Sequence, residues 1–500
     1  MKKTILSVLA AALLCLLSLA VIIYTHGQLT NRGEDVAVTE TTLFGDQKEA
    51  EGIETVSNFH YGLLTWRIAC SPAETLTAET NVSYNDDIYL PDHRAYGSAD
   101  IDIHSQTSSS SYGIDLKSDP LTDDSAAPYL RQVLLDLAAE TAPGKTTKRT
   151  MSLDTLMDYL PVRLYYHPKQ SYKSESDLGV FALPVPDYPV TITVGKNDDG
   201  EVTSYSLESN QELYLQSYIR VDDDYCYVIL TDVTTEDVTG EDETAEETKK
   251  VSSLPEDQMG IYRLPLDDAK ARGASQFLND DDRFLFYPIG EDAQVLEFEE
   301  DDMYFLLYTI EDKEDGESKG VYLSFIDKDT GRLADKLLLS GVSDTAHTQV
   351  LAVCQSENFC LTVLSGGDFF LLERKGSSYK PSFNGRLSAF DQFEDLDFST
   401  VQACFDGQKL AVFFSVNDRK DDLGRRRHKG CCLQVFDQTG LKYAGLYTNS
   451  LQAIQDQSDM TYLINSADSV SFSTTARAGS HLTGRSASPG PLTGPALSGL

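Results

Sequence analysis

The chain has 500 residues, 41% of them hydrophobic and 10% aromatic, which is enough to bury a large core and too much for wholesale disorder. Against 41 Lys+Arg stand 79 Asp+Glu, a formal charge of −38, and so negative a surface repels phosphate backbones and makes nucleic acid a poor partner. The 26 Tyr and 21 Phe favour strands, so a mainly β body is expected.

Lys2 and Lys3 precede an uncharged run from Thr4 to Tyr24. As a helix rising about 1.5 Å per residue, that run matches the roughly 30 Å hydrocarbon thickness of a bilayer. A cleaved signal with Ser18-Leu19-Ala20 as its cut site competes with an uncleaved anchor over residues 1–25. Val21-Ile22-Ile23-Tyr24 carry the apolar run past that site and favour the anchor. The two lysines hold the short end in the cytoplasm, so a single-pass cell-membrane protein with its C-terminal part extracellular is expected. Residues 26–42 are polar and aperiodic, as in a stalk. Seven cysteines beyond Cys15 are too sparse for a disulfide framework. Cys354 and Cys360 flank an expected tight turn, where either a disulfide or two buried thiols fit.

Residues 43–170 are expected to form an N-terminal α/β subdomain. Ile53 to Val56 and Leu63 to Cys70 have strand character. Tyr129, Leu130, Val133, Leu134 and Leu137 recur at three and four residues, which predicts a helix from Pro128 to Thr141. A second, shorter helix is expected from Ser152, which can cap it. Leu153, Leu156, Met157 and Leu160 would form its apolar face before Pro161 ends it.

From 171 to 473 short strands and polar turns recur. Turns ending in glycine are predicted at Asn197-Asp-Asp-Gly200, Asp267 to Gly273, Asp327-Lys-Asp-Thr-Gly331, Asn384-Gly385 and Asp437-Gln-Thr-Gly440. With Thr231 to Lys250 set aside as an acidic loop insertion, they recur about every 54 residues. Four strands fit in each of three units: 295–298, 303–310, 320–326 and 332–339; then 350–353, 359–364, 369–372 and a weak one around Tyr379; then 401–405, 409–415, 430–436 and 441–447. Four strands per repeat predict a mainly β fold, a β-propeller of about five to seven blades, with a stack of sandwiches as the rival. Ring closure would use Val470 to Phe472, with strands near Val180 or those around residues 53–70. Residues 474–500 lack acids and aromatics and are expected to be a disordered tail.

Chemistry is harder to find. Gly144-Lys145-Thr146 ends like a phosphate loop but follows a helix and lacks the first glycine, so it is expected to be a helix-terminating turn. HExxH and GxSxG are absent, and the histidines show no ligand spacing, so no cofactor and no metal site is expected from them. Asp222-Asp-Asp224, Asn279 to Asp282, Glu299 to Asp302, and Asp327 with Asp329 offer oxygens for structural calcium, but none has the full calcium-loop spacing. One basic concentration stands out. Arg419, Arg425, Arg426, Arg427 and Lys429, with Lys420 and His428, fall on a long loop between second and third strands and form the candidate ligand-binding segment. A solvated loop is the plainer reading of the same residues.

The anchor, Leu43-Phe-Gly-Asp46 with Ala50-Glu-Gly52, Met157-Asp-Tyr-Leu-Pro161 and the D-x-x-T-G hairpins together resemble uncharacterised membrane-anchored β-propeller-like proteins of Gram-positive anaerobes. The resemblance spans residues 1–473 and implies an exported ectodomain, with no activity or site attached. The D-x-x-T-G turns also resemble quinoprotein-type repeats, but with one Trp in the chain the tryptophan docking of those repeats is missing. The expectation is therefore a non-enzymatic, membrane-anchored extracellular binding or scaffold protein, possessing a propeller face or channel for its ligand. Its partners would be the membrane, through the N-terminal helix, and another envelope protein or a wall polymer. The alternatives are a carbohydrate-active hydrolase or lyase using paired carboxylates, and a structural component of an envelope complex.

Overall fold

A computed structural model describes residues 16–21, 24, 36–61, 64–72, 77–84, 95–101, 107–117, 126–168, 176–209, 211–237, 249–266, 277–279, 283–290, 292–313, 316, 318–388, 390, 395–418, 427–451 and 464–472. In chain order the elements begin with β1 (Val38–Gly45), β2 (Ile53–Tyr61), β3 (Leu64–Ser71), β4 (Thr77–Tyr84), β5 (Tyr96–Asp100) and β6 (Thr107–Ser109). Helix α1 (Leu130–Glu140) follows, then β7 (Thr146–Ser152), β8 (Leu160–His167), β9 (Ser176–Leu183), β10 (Pro189–Lys196) and β11 (Val202–Glu208). Next come β12 (Gln211–Val221), β13 (Tyr225–Asp237), β14 (Lys249–Ser253), β15 (Gly260–Pro265) and β16 (Leu285–Pro288), then β17 (Gln294–Glu300), β18 (Tyr304–Asp312), β19 (Lys319–Asp327) and β20 (Leu333–Val342). The chain continues through β21 (Val350–Gln355), β22 (Phe359–Leu364), β23 (Asp368–Lys375) and β24 (Ser378–Arg386). It ends in β25 (Asp395–Phe405), β26 (Leu410–Asp418), β27 (Arg427–Asp437), β28 (Gly440–Asn449) and β29 (Ile464–Phe472).

The body is mainly β, and the chain divides into two compact units, residues 92–342 and residues 1–91 with 343–500. In the first unit β5-β8-β9 form one sheet, β12-β13-β15-β16 a second with β14 beside β13, and β17-β18-β19-β20 a third. A further sheet, β6-β11-β10-β7, carries α1 on β10 and β7. Leu130, Leu134 and Leu137 bury on that side as the three-four spacing required. Pro128 stands just ahead of the helix, which begins one residue after Tyr129. The expected helix from Ser152 is a single 3-10 turn over Leu153–Thr155, and Ser152 does not cap it. Leu153 and Leu156 bury from that turn, while Leu160 buries from the start of β8, so a turn and a strand reproduce an apolar spacing that looked helical.

The second unit holds β21-β22-β23-β24, β1-β28-β27-β26-β25 and β29-β2-β3-β4. The first and last described strands are both woven into this unit. β1 adds as a fifth strand to β28, with Val38 opposite Asn449 and Gly45 opposite Tyr443, so Val38 to Thr42 are strand and not stalk. β29 pairs with β2, Ile53 opposite Phe472, which selects the strands around residues 53–70 as its partners over those near Val180. Within this unit β2 to β4 share a sheet with the C-terminal strand, which cuts across the expected subdomain of residues 43–170. A polar cluster secures β1: the Tyr443 hydroxyl donates to Glu40 at 2.5 Å, the Gln47 amide donates to the other Glu40 oxygen at 2.8 Å, and Tyr443 and Tyr447 hydroxyls lie 3.0 Å apart. Burial holds both tyrosine hydroxyls well above the ordinary phenol range, so they remain hydrogen-bond donors at any physiological pH.

The predicted strands of β17 to β28 agree with the observed ones to within a few residues, apart from longer β24 and β25. The glycine corners are less regular than expected. Gly331 and Gly440 do end hairpin turns, with Asp327 and Asp437 carboxylates accepting from Thr330 and Thr439. Asn384-Gly385, however, lies inside β24 opposite Phe370 and Phe369, and the turn of that sheet is at Gly376. The Asp267 turn falls outside the described residues. The 54-residue phase therefore fails at β24. A different mark recurs between the first two strands of four sheets: Asp222, Asp301, Ser356 and Asp406 each receive side-chain hydrogen bonds from following backbone N–H groups, and each donates its own N–H to the carbonyl three residues on.

The Thr231 to Lys250 insertion is partly strand, since β13 runs to Asp237 and β14 opens at Lys249. Cys70, Cys226, Cys354, Cys360, Cys404, Cys431 and Cys432 are buried and in no disulfide. Cys354 and Cys360 sit on paired strands, opposite Leu361 and Gln355. Burial raises the Cys70 thiol to about 11 and those of Cys354 and Cys432 to about 12. A thiol reagent at pH 8 is therefore expected to label none of these seven in the native protein and all seven in denaturant, as read by peptide mass; labelling of any under native conditions contradicts the packing.

Among the described residues no helix is long and apolar enough to cross a membrane. Residues 16–21 and 24 of the apolar run are helical, and Leu16, Leu17, Leu19, Val21 and Tyr24 are exposed there; the rest of the run lies outside the described residues. The tail from 474 onward does as well.

Candidate functional site

The most concentrated buried charge among the described ion pairs joins two strands that each open a sheet. β12 supplies Arg220 and β17 supplies Glu297 and Glu299. Strand alternation places the two glutamates on one side of β17, with Phe298 on the other and in the apolar cluster. The Arg220 Nη2 lies 2.9 Å from Glu299 Oε1 and 3.6 Å from Glu297 Oε1, while its Nη1 donates to the Ile219 carbonyl at 3.1 Å. Glu297 and Glu299 are only 9% and 7% exposed, so one guanidinium serves two carboxylates that water barely reaches. Glu297 also accepts from the Phe298 N–H at 2.9 Å. Tyr218, two residues before Arg220 and on the same side of β12, donates to the Leu296 carbonyl at 3.0 Å, a second bond between the strands.

Burial is the main reason the Glu297 carboxyl rises to about 7; the neighbouring Glu299 adds to the rise, and the Phe298 N–H and Arg220 oppose it. Burial likewise raises the Tyr218 hydroxyl to about 12. No protein-family model and no curated protein matches the chain. The candidate site is thus defined by its own geometry: a guanidinium clamped between two carboxylates at a strand-to-strand seam, able to take up a proton near neutrality and to hold the seam by charge.

Arg419, Arg425 and Arg426 lie outside the described residues. Arg427 and Lys429 open β27, with Arg427 opposite Asp418 at the end of β26, so these two stand on a paired strand and not on the loop expected there. Of the acids weighed for calcium, Asp222 and Asp301 are engaged by turn N–H groups and Asp327 by Thr330. Among the described residues no group of three or more His, Cys, Asp or Glu side chains could hold a metal ion. In the sequence Glu299 stands out only within the acidic run to Asp302, as an oxygen for calcium, and Arg220 and Glu297 do not stand out. The available signal was two acids at alternate positions, Glu297 inside the predicted strand 295–298 and Glu299 just past its end; the partner cation is more than seventy residues earlier.

Proposed function

We propose that the protein is a membrane-anchored extracellular binding or scaffold protein, non-enzymatic, whose body is a β-propeller. The observation that carries this reading is the neighbouring of sheet-opening strands inside each unit: β5 lies against β12 and β12 against β17, and β21 lies against β25 and β25 against β29. Each of these strands stands at one end of its sheet's spatial order, and antiparallel sheets that bring such strands together are the building plan of propeller blades. Among the described residues three sheets of this kind lie in each unit. The weaving of β1 and β29 into sheets built by distant residues supports the same plan, because it ties the chain ends into blades and covers edges.

The anchor is supported by the uncharged run behind Lys2 and Lys3 and by the exposed apolar side chains of its helical part. Hydrolysis is the weaker reading of Glu297 and Glu299, because Arg220 occupies the place between the carboxylates that a glycosidic oxygen and a water would need. The ligand contact assigned to Arg419, Arg425, Arg426, Arg427 and Lys429 suits an acidic wall polymer or the acidic face of an envelope protein. Full-length protein expressed in a bacterial host is expected in the membrane fraction, with its body cut by protease added to intact cells. Recovery as a soluble protein, or full protection from external protease, would overturn the assignment. Charge reversal at Arg425, Arg426 and Arg427 is expected to remove the captured partner, and unchanged capture contradicts the basic contact.

A further inference from the structure

We propose that Arg220, Glu297 and Glu299 form a proton-operated latch between β12 and β17, in which proton uptake by Glu297 leaves the guanidinium to Glu299 alone and tightens the seam. Arg220 pairs with both carboxylates across this seam, and its shorter contact is to Glu299. Among the described residues the titratable and charged groups facing Glu297 are Arg220 and Tyr218 from β12, Glu299 from β17 itself, and Tyr308 directly opposite on β18; Tyr227 stands opposite Arg220 on β13. The three tyrosines are buried or half-buried. Burial raises the Tyr218 and Tyr227 hydroxyls above the ordinary phenol value. Glu297 is the group whose ionisation falls near neutrality. When it is ionised, two buried negative charges lie against Arg220; when it is protonated, one of them is gone.

The sign follows from linkage. Unfolded, Glu297 titrates at its ordinary value of 4.5, and folded at about 7, so between those values the folded chain holds a proton that the unfolded chain has released. Stability from this group is fully present below 4.5 and is lost as the pH rises toward 7, the reverse of the usual carboxylate. Glu297→Gln holds the neutral form at every pH. Between pH 5 and pH 8 the wild-type unfolding constant is expected to rise relative to that of Glu297→Gln by about two orders of magnitude. Glu299→Gln removes the competing carboxylate, and the wild-type inflection is expected to move to lower pH. Hydrogen exchange of peptides covering 211–221 and 294–300, compared between wild type and Glu297→Gln at each pH, reads the seam directly. Wild-type protection is expected to fall toward that of an opened seam as pH rises while the variant's does not. Parallel pH profiles for the two proteins in both measurements would overturn the latch.

Discussion

Replacing Val470 by aspartate is expected to remove at least about 3 kcal/mol of stability from the unit that holds both chain ends. Val470 is buried in a cluster with Ile53, Ala467, Cys404, Phe413, Leu433 and Tyr443, so β29 and β2 pack through it onto the β25 to β28 sheet. A carboxylate there has no cation within the cluster and either ionises without a partner or holds its proton at a cost. The inward direction of both Ala467 and Val470 depends on a bulge: Ser469 pairs with Val56 and Ala467 with Ser57, leaving Asp468 as the extra residue. Asp468 consequently faces water, 3.7 Å from the exposed Arg67 side chain. Asp468→Ser is expected to change stability by less than about 1 kcal/mol. Trp66 is the single tryptophan of the chain, buried on β3 edge-to-face with Phe59 in the same sheet. Urea unfolding followed by its emission compares the two variants without added labels; equal midpoints would mean that β29 is not packed where it is placed.

Gln434→Met is expected to cost about 2–4 kcal/mol although it preserves the side chain's volume. Gln434 is fully buried on β27, and its amide makes two bonds to one backbone residue: Ser388 N–H donates to its oxygen at 3.0 Å, and its nitrogen donates to the Ser388 carbonyl at 2.9 Å. Ser388 lies in the connection from the β21 to β24 sheet to the β25 to β28 sheet, so a single amide acts as a short piece of extra strand between them. Methionine fills the space and leaves that backbone N–H and carbonyl without these partners. Denaturation midpoints of Gln434→Met and Gln434→Glu should both fall, with exchange at residues 387–390 rising first. Wild-type midpoints for Gln434→Met would show that the connection finds other partners.

Much of the strand pattern was legible because alternation and turn residues are local properties. β17 to β23 and β26 to β28 emerge from runs such as Val321 to Ile326 and Cys432 to Phe436 bounded by Asp and Gly. The repeat phase was misread at Asn384-Gly385, where the sequence carries a favoured hairpin pair inside a paired strand. The steadier mark, an Asp or Ser accepting N–H bonds at the first hairpin of four sheets, was hidden among abundant acids and was weighed for calcium instead at Asp222 and Asp301. Gln434 and Arg220 were illegible for another reason. Each owes its role to a partner outside its own sheet, and nothing local distinguishes a buried Gln or Arg from a solvated one.

Joining of the chain ends is tested most directly by a cross-link. Glu54 and Ser471 stand opposite each other on β2 and β29. Facing residues of antiparallel strands have Cα atoms about 4.5–5.5 Å apart, a span that a disulfide accommodates. In the double variant Glu54→Cys, Ser471→Cys, mild oxidation is expected to give an intramolecular bond at high yield, seen as one linked pair of N- and C-terminal peptides after digestion. Free thiols at both positions, or links only between separate molecules, would contradict the interlocked ends.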